Sequence, residues 1–432
     1  MTLRPGGDVA LWIIVAVLAA MSVLVVYSST GVEALSPDGS GNHFGVLIRQ
    51  LGIVLMGLMV VYAVHKINYQ FYGRIVWAAY AMALAFTVMV FFIGEANPGA
   101  PNAPRWIRIP LLNMTFQPSD FLKVATVMVL ARELARRQKT IDREPVLPPF
   151  SARGWREDGG GRILREQTIP LLGPIALSCA VIFSTNLSTA LILLATCFVM
   201  LFIGRVRIRE LMKFMFAMFA AGVVVAGTAF AINTLNGSGN SGGGEGEAGG
   251  APTEQREEVL SRSGTWKNRI DRFLRGEKSY QVEQAEIAIA VGGLMGRGAG
   301  ESTQRGILPD AESDYAYAFV IEEYGSLLGG GLVILLYLWI FFRGIVIFRK
   351  CGTAFPSLLV LGLALLITIQ AMVNMMVSTN MIPSTGIALP LISKGGSSEL
   401  FLSCALGMML GVSRQTSEQT LDKPRAESLL EN

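Results

Sequence analysis

Repeated apolar runs limit what this chain can fold into more than any other feature. A helix needs about 20 apolar residues, at 1.5 Å per residue, to cross ~30 Å of hydrocarbon. Ten runs close to this size lie near residues 9–28, 46–64, 75–94, 118–131, 168–184, 187–204, 212–233, 315–342, 356–377 and 398–413. The pattern predicts an all-α polytopic membrane protein with about ten transmembrane helices. The fourth run is short and contains Lys123, and the fifth and sixth nearly touch, so nine spans are an alternative count.

The composition agrees with a membrane protein and excludes other classes. Of the 432 residues, 52% are hydrophobic and 16% are charged. The formal net charge of +4 arises largely beside apolar runs, where basic residues orient a membrane protein, so no nucleic-acid partner is expected. Three of the four cysteines fall in apolar runs, and the two histidines are far apart, so neither a disulfide framework nor a histidine zinc site is predicted.

Basic residues also predict the orientation of the chain. Arg4, Lys66 and the segments 132–165, 205–211 and 343–350 would share one side, which the positive-inside rule assigns to the cytoplasm. Residues 1–413 then form the membrane domain, and residues 414–432 form a cytoplasmic tail. A large loop, residues 235–314, lies on the outer side between the seventh and eighth spans.

Three parts of the outer loop differ in character. Residues 236–250 are glycine-rich, which is typical of a flexible insert. Residues 254–277 carry apolar side chains at helical spacing, which predicts either a short helix on the membrane surface or a surface that docks a partner. Residues 279–300 are apolar but contain five glycines, which favours a re-entrant segment lining a cavity over a steady helix.

The loop ends in carboxylates, which stand where the eighth span begins. Asp310, Glu312 and Asp314 directly precede an apolar run. Partial burial makes a carboxylate more basic, as abstraction of a proton from a sugar hydroxyl requires. Alternatively, Asp314 is the N-cap of the eighth helix. Glu322 and Glu323 lie inside that span, where at least one must face a polar cavity or a cation such as Lys123.

Polar residues near the fourth span have two interpretations, and one polar residue lies at the start of the sixth span. Arg105 and Lys123 could hold a phosphate. Alternatively, Trp106 is an interfacial anchor, and Asp120 and Lys123 form a self-neutralising pair three residues apart. Asn186 is expected to bond a neighbouring helix.

The densest polar segment is residues 370–401. Gln370 and Asn374 share one face of the ninth helix, and a segment containing Pro383, Gly386 and Pro390 follows. Residues 394–398, Lys-Gly-Gly-Ser-Ser, then lead into the tenth helix. Backbone donors and a lysine at a helix N-terminus favour anion binding over an ordinary turn.

The segment IPSTGIALPLISKGGSS, residues 382–398, resembles the signature of the SEDS family, the FtsW, RodA and SpoVE group. Further agreements lie at residues 26–30, 44–52, 105–106, 117–123, 280–285 and 298–325. Asp120 stands where the family usually has glutamate. Asn186 lies in STNLSTA, residues 184–190, where many members have a Pro-Asp-Leu-Gly-Thr form, so the role of that aspartate is in doubt here.

The resemblance implies a multi-pass protein of the bacterial inner membrane with a periplasmic active site. It further implies an inverting peptidoglycan glycosyltransferase that polymerises lipid II, the undecaprenyl-pyrophosphate-linked precursor, with Asp314 as general base. A divalent cation, Mg²⁺ or Mn²⁺, is a candidate cofactor. The candidate substrate-binding residues are Arg105, Trp106, Asp120, Lys123, Gln284, Glu323, Lys394, Ser397 and Ser398.

The form of the 311–325 segment, AESDYAYAFVIEEYG, is more similar to the members that act in cell division than to those of elongation. The resemblance then implies a location at the septum, a class B penicillin-binding protein as partner, and contact with other division proteins of the membrane. Three alternatives remain: an elongation polymerase, a lipid II flippase, which broken helices and intramembrane carboxylates also suit, and a division scaffold without chemistry.

Overall fold

A computed structural model of the chain describes most of the membrane domain. It covers residues 6–29, 43–97, 100–109, 114–141, 145–148, 160–218, 220, 269, 271–304, 314–393 and 396–430. The glycine-rich insert at 236–250 and most of the amphipathic segment at 254–277 lie outside these ranges. Asp310, Glu312 and Lys394 also lie outside them.

Helices make up nearly all of the described structure. They are α1 Val9–Ser29, α2 His43–Lys66, α3 Tyr69–Ile93, α4 Pro118–Arg137, α5 Gly160–Thr185, α6 Leu187–Ile203, α7 Tyr280–Gly292, α8 Ala316–Tyr324, α9 Leu332–Lys350, α10 Ala354–Ser378 and α11 Gly396–Leu430. The backbone is π-helical at Leu164–Thr168 within α5 and at Gly325–Gly331 between α8 and α9. Residues 208–218 are also helical.

These helices confirm the predicted class of polytopic membrane protein. In the described ranges, seven helical segments are long and apolar enough to cross a membrane, and they include α8 and α9 as one segment. The α6 helix is apolar but shorter, with 17 residues. The seventh predicted span, residues 212–233, lies mostly outside the described ranges.

Local sequence signals explain where several helices begin. Asn68 accepts a hydrogen bond from the backbone N–H of Gln70 at the start of α3, and Pro118 opens α4, where a missing N–H costs nothing. The fifth and sixth runs are two helices because Asn186 is extended, with φ −157° and ψ 99°. The side chain of Asn186 caps its own helix, α6, by accepting from the N–H of Thr189 at 3.3 Å. Among the described residues, no side-chain hydrogen bond joins it to a neighbouring helix as expected.

The centre of the bundle is α10. It packs against α4, α6, α8, α9 and α11, and 83% of the residues in its most apolar 18-residue stretch are buried by protein. Such a helix faces other helices on nearly all sides, so its polar side chains must find partners within the protein. Gln370 and Asn374, at 2% and 0% exposure, are therefore placed to organise their surroundings.

A small antiparallel sheet interrupts the helices between α3 and α4. Its strands are β1 Glu95–Asn97, β2 Ala100–Ile109 and β3 Met114–Phe116, in the order β1-β2-β3. Trp106 lies opposite Glu95, and Ile107 lies opposite Phe116. The sheet leads directly into the start of α4.

We expected residues 279–300 to be too rich in glycine for a steady helix, and this is wrong for the first half of the segment. Tyr280–Gly292 is a regular α-helix capped by Ser279, and the glycines that follow it have positive φ. Because Gly292 and Gly296 have no Cβ, the backbone of α7 and of the turn after it can contact the backbone of α8. A Cβ on Gly292 would lie 2.2 Å from the carbonyl oxygen of Ile321, so glycine is required there by packing.

Basic residues gather at the end of the bundle that holds the N-terminus of α1. Arg343 of α9 forms an ion pair with Asp8, and Arg414 of α11 donates to the carbonyl oxygen of Lys66 at 3.1 Å. Contacts between the ends of α1, α2, α9 and α11 thus bring distant basic segments together. This arrangement agrees with a cytoplasmic N-terminus under the positive-inside rule.

Candidate active site

At the opposite end of the bundle, a buried ion pair begins α4. The ammonium of Lys123 lies 2.8 Å from a carboxylate oxygen of Asp120, and both side chains are less than 8% exposed. The pair forms because residues three apart share one helical face. The side chain of Asp120 is long enough to reach the lysine. The interpretation of Asp120 and Lys123 as a self-neutralising pair is therefore confirmed.

The same ammonium reaches across to the central helix. Lys123 Nζ donates to Gln370 Oε1 of α10 at 2.9 Å. An ammonium has three N–H donors, and these two contacts use two of them. Within the described part of the chain, the third is available to a ligand.

One turn along α10, Asn374 joins two segments that are far apart in sequence. Its side-chain nitrogen donates to the carbonyl oxygen of Asp314 at 2.8 Å and to that of Ile387 at 2.7 Å. Gln370 makes a longer bond, 3.4 Å, to the carbonyl oxygen of Ala388. Two amides on one face of α10 thus hold both the start of the eighth span and the 382–393 segment.

Further contacts hold the 382–393 segment from its other sides. The hydroxyl of Tyr337 on α9 donates to the carbonyl oxygen of Pro390, and Ser393 Oγ accepts from the N–H of Leu389 at 2.8 Å. Arg269, from the outer loop, donates to the carbonyl oxygen of Ser384 at 3.1 Å. An irregular segment at this depth is tolerated because its backbone groups find partners.

Asp314 is half-buried at the entrance to α8. The alternative that it is an N-cap is wrong, because the N-cap position is Tyr315 and carries no side-chain capping bond. Capping of α8 therefore does not account for this carboxylate.

The start of α11 joins the start of α4. Ser397 Oγ accepts from the backbone N–H of Gln117 at 2.9 Å. Phe401 stacks on Phe121, with ring centroids 5.2 Å apart, and meets Phe116 edge to face. Ser397 is thus brought beside the segment that carries Asp120 and Lys123, and Ser398 lies next to it in the chain.

Glu322 is bound by the loop that precedes α8. It is 0% exposed and accepts from Ser302 Oγ at 2.5 Å, from the N–H and hydroxyl of Thr303 at 2.6 and 2.8 Å, and from the N–H of Gln304 at 3.2 Å. These partners are neutral donors of residues 302–304. Of the two expected surroundings, a polar cavity or a cation such as Lys123, Glu322 therefore has polar donors, and Lys123 instead contacts Asp120 and Gln370.

Glu323 points towards α1. It accepts from Ser28 Oγ and from the N–H of Gly300 at 3.0 Å. These contacts place Glu323 in the packing of α8 against α1 and the loop, apart from the Asp120–Lys123 pair.

The other candidates are less closely tied to this network. Trp106 is half-buried on β2, Arg105 is its neighbour in the same strand, and Gln284 is half-buried on α7. The described hydrogen bonds connect neither Trp106 nor Gln284 to Lys123 or Asp314. Lys394, together with Asp310 and Glu312, lies outside the described residues.

The candidate residues chosen from sequence omitted the amides that hold the site together. Gln370 and Asn374 were visible as two polar residues four apart in an apolar helix, which is a signal for an interior polar face. Gln117 and Glu399 gave no comparable signal, because their contacts depend on how α4 and α11 meet.

Fold and site together define a polytopic membrane protein with a polar network at the end of the bundle opposite its basic end. A family model described as cell cycle protein, that of the FtsW, RodA and SpoVE group, matches residues 8–418. The chain therefore belongs to the FtsW/RodA/SpoVE family.

Several relatives match along nearly their whole length. Stage V sporulation protein E of Bacillus subtilis is 27% identical over 416 residues, covering 96% of this chain and 98% of that protein. The probable peptidoglycan glycosyltransferase FtsW of Bacillus subtilis is 28% identical over 425 residues, covering 94% and 90%. That of Trichlorobacter lovleyi is 27% identical over 417 residues, covering 94% and 93%.

Solved structures share the fold. A chain from a structure titled "Structural coordination of polymerization and crosslinking by a peptidoglycan synthase complex" superposes with a TM-score of 0.63 at 20% identity, covering 95% of this chain and 98% of that one. The rod shape determining protein RodA of Thermus thermophilus gives a TM-score of 0.57 at 20% identity, covering 96% and 98%.

Proposed function

We propose that this chain is an inverting peptidoglycan glycosyltransferase that polymerises lipid II, with Asp314 as general base. Membership of the family and relatives named as probable peptidoglycan glycosyltransferases support the reaction class. The single observation that carries the site assignment is the pair of amides on α10. Asn374 holds the backbone of Asp314, and Gln370 holds the ammonium of Lys123.

This pair sets the spacing of the candidate base and the candidate cation. Residues four apart lie about 6 Å apart along a helix axis, on the same face. The backbone of the half-buried Asp314 and the buried ammonium of Lys123 are therefore anchored one turn apart on a largely buried helix. The reaction needs both, because a proton must leave the attacking hydroxyl while negative charge develops on a leaving pyrophosphate.

In the proposed step, the 4-hydroxyl oxygen of the lipid II acceptor attacks the anomeric carbon of the growing chain. The bond from that carbon to the pyrophosphate oxygen breaks, and its electron pair leaves with the lipid pyrophosphate. The proton of the attacking hydroxyl passes to the Asp314 carboxylate. Attack opposite to the leaving group inverts the anomeric centre.

Lys123 is proposed to stabilise the leaving pyrophosphate through its remaining N–H donor, with Asp120 holding the ammonium in place. Arg105 and Lys394 are proposed as further cations, and Ser397, Ser398, Trp106, Gln284 and Glu323 as residues around the substrate. Preorganised charges of this kind favour the transition state because they meet charge that the ground state lacks.

A divalent cation, Mg²⁺ or Mn²⁺, stays a proposal. Among the described residues, no three His, Cys, Asp or Glu side chains cluster in a way that could hold a metal. The described side chains therefore do not fit a cation held by protein alone. Mg²⁺ often binds through one or two carboxylates together with substrate phosphates. No step above passes through it.

We further propose that the chain acts at the division septum with its active site on the periplasmic side, and that its partner is a class B penicillin-binding protein. The basic end of the bundle supports the orientation, since it assigns the α1 N-terminus to the cytoplasm. Several relatives named FtsW support the division role.

The test is polymerisation of fluorescent lipid II by the purified chain. The assay is run with and without a class B penicillin-binding protein that penicillin has inactivated, so that glycan strands are not cross-linked. We expect a ladder of strands from the wild type and none from Asp314→Asn, while both proteins unfold at similar temperatures in detergent.

A matched control is Asp271→Asn, which removes a carboxylate from the same outer loop outside the network. It should keep the ladder. A ladder from Asp314→Asn would assign the base elsewhere, with Glu312 and Asp310 as the next candidates. No ladder from the wild type under any partner condition, with lipid II crossing proteoliposome membranes, would instead establish the flippase.

A further inference from the structure

Glu399 is a buried carboxylate that the proposed reaction does not use. It lies in the first turn of α11 and is 5% exposed. Its Oε2 has no hydrogen-bond partner among the described residues. The positive N-terminus of α11 favours a carboxylate in this turn. This favourable charge does not replace a hydrogen bond to the buried Oε2, and a buried polar atom without a hydrogen bond is costly.

The side chain of Glu399 lines a small cavity between α10, the 388–393 segment and α11. The cavity offers about 10 Å³ to a water molecule, and its polar side chains are those of Gln370, Ser393, Ser398 and Glu399. This is room for one water molecule, and a buried water typically makes two to four hydrogen bonds to groups of this kind.

Gln370 connects this cavity to the candidate active site. Its Oε1 accepts from the Lys123 ammonium at 2.9 Å, whereas its Nε2 makes only a 3.4 Å bond to the carbonyl oxygen of Ala388. The amide is therefore held firmly at its oxygen and weakly at its nitrogen. An acceptor in the cavity would hold the nitrogen and so fix the amide plane.

We propose that Glu399 is a positioning residue, which orients Gln370 through one bound water and thereby aims the Lys123 ammonium at the pyrophosphate. The order of contacts is carboxylate, water, amide and ammonium. Glu399 touches no substrate atom in this scheme. The inference rests on the proposed function, because it takes Lys123 as the group that holds the leaving pyrophosphate.

The experiment is a double-mutant cycle read by affinity for undecaprenyl pyrophosphate, using the purified full-length chain and no turnover. We expect Glu399→Leu to weaken binding about tenfold. This is the lower end of the loss found in metal sites when a residue that orients a direct ligand is replaced. Gln370→Leu should weaken binding at least as much. Because both act on the same ammonium, the double variant should match the more severe single variant.

Two further variants separate positioning from a structural role. Glu399→Gln can still bond the water and should bind close to the wild-type level. Glu399→Ala, a second variant without the carboxylate that serves if the leucine variant does not fold, should be weakened. Ser403→Ala removes another buried polar group of α11, near Gly57 of α2, and should leave affinity unchanged.

Additive effects of Glu399→Leu and Gln370→Leu would overturn the inference, as would wild-type affinity in both Glu399→Leu and Glu399→Ala. Loss of binding in Glu399→Gln equal to that in Glu399→Leu would also overturn the water-mediated role. Absence of binding in the wild type is a different result, since it would overturn the proposed pyrophosphate site itself.

Discussion

The side-chain nitrogen of Asn374 lies 2.8 Å from the carbonyl oxygen of Asp314, and 2.7 Å from that of Ile387. A single amide on the central helix, α10, therefore fixes two chain segments whose relative position decides the geometry of the proposed site. Neither bond involves the Asp314 carboxylate, so Asn374 acts on the candidate base through its backbone.

Replacing Asn374 by leucine, which has a similar size, should impair the protein in two ways. Two carbonyl oxygens lose their donor, which should lower the free energy of unfolding by roughly 2–4 kcal/mol. Polymerisation should fall further than this loss explains, because the Asp314 segment and the 382–393 segment are no longer tied together. Thermal unfolding in detergent and the lipid II assay measure the two effects.

The neighbouring substitution Met375→Leu is the control for that change, since Met375 is 5% exposed on the same helix and the swap conserves volume. It should leave both measurements close to wild type. Equal losses in the two variants would show that Asn374 contributes only packing.

The Asp120–Lys123 pair offers a test that separates stability from chemistry. Removing one member, as in Lys123→Met or Asp120→Leu, leaves a buried charge without its partner and should lower the free energy of unfolding by about 3–5 kcal/mol. Combining both substitutions should restore most of the stability. Polymerisation should stay lost in the double variant, because no ammonium then meets the pyrophosphate.

Thermal unfolding and the lipid II assay applied to all three variants check this prediction. Recovery of activity together with stability in the double variant would mean that the pair serves the fold alone.

Gly292 should tolerate no side chain, because α7 and α8 cross at backbone distance. The Cβ of Gly292→Ala would lie 2.2 Å from the carbonyl oxygen of Ile321, and forced shifts of this kind cost about 1–3 kcal/mol. Gly52→Ala is the matched control, since a Cβ on Gly52 of α2 would meet no atom within 4 Å. That change should be neutral or stabilise α2 by about 0.5–1 kcal/mol. Similar unfolding temperatures for the two variants would contradict the close crossing.

Glu286 should make the attachment of α7 sensitive to acid. A hydrogen bond from Lys278, helped by one from Asn380, holds the pKa of this carboxyl below its usual value. A lowered pKa in the folded state stabilises the fold at pH above the unfolded pKa, and this contribution is lost as pH falls through the folded pKa. Limited proteolysis of the outer loop should therefore accelerate at acid pH. Glu286→Gln should remove most of that pH dependence, and an unchanged profile would contradict the assignment.

The sequence predicted the spans well because their lengths follow directly from the thickness of hydrocarbon. It also placed Gln370 and Asn374 on one face, since helical spacing is a local property. Their partners could not be predicted in the same way. Lys123 and Gln370 are 247 positions apart, and Asn374 and Asp314 are 60 apart, so these contacts depend on how the helices pack.

Two features that the sequence did not resolve have one physical origin. The glycines after Val291 suggested a broken segment, and the carboxylates of Glu322 and Glu323 suggested a cavity or a cation. In the structure, the glycines allow the backbone of residues 292–296 to lie against α8, and residues 300–304 then supply donors to both carboxylates. The glycines and the buried carboxylates thus belong to the same close contact between residues 292–304 and α8. Such a contact between two segments cannot be predicted from either segment alone.

The donors to Glu322 and Glu323 also bear on how this protein enters the membrane. A carboxylate in a lone helix opposes insertion by ~2.5–3.5 kcal/mol on the translocon scale, and α8 carries two in succession. Residues 300–304 emerge from the ribosome before α8, and Ser28 has emerged long before, so the donors for both carboxylates already exist when α8 reaches the translocon. The eighth span therefore need not insert alone, because it can enter the bilayer as a hairpin with the segment synthesised just ahead of it.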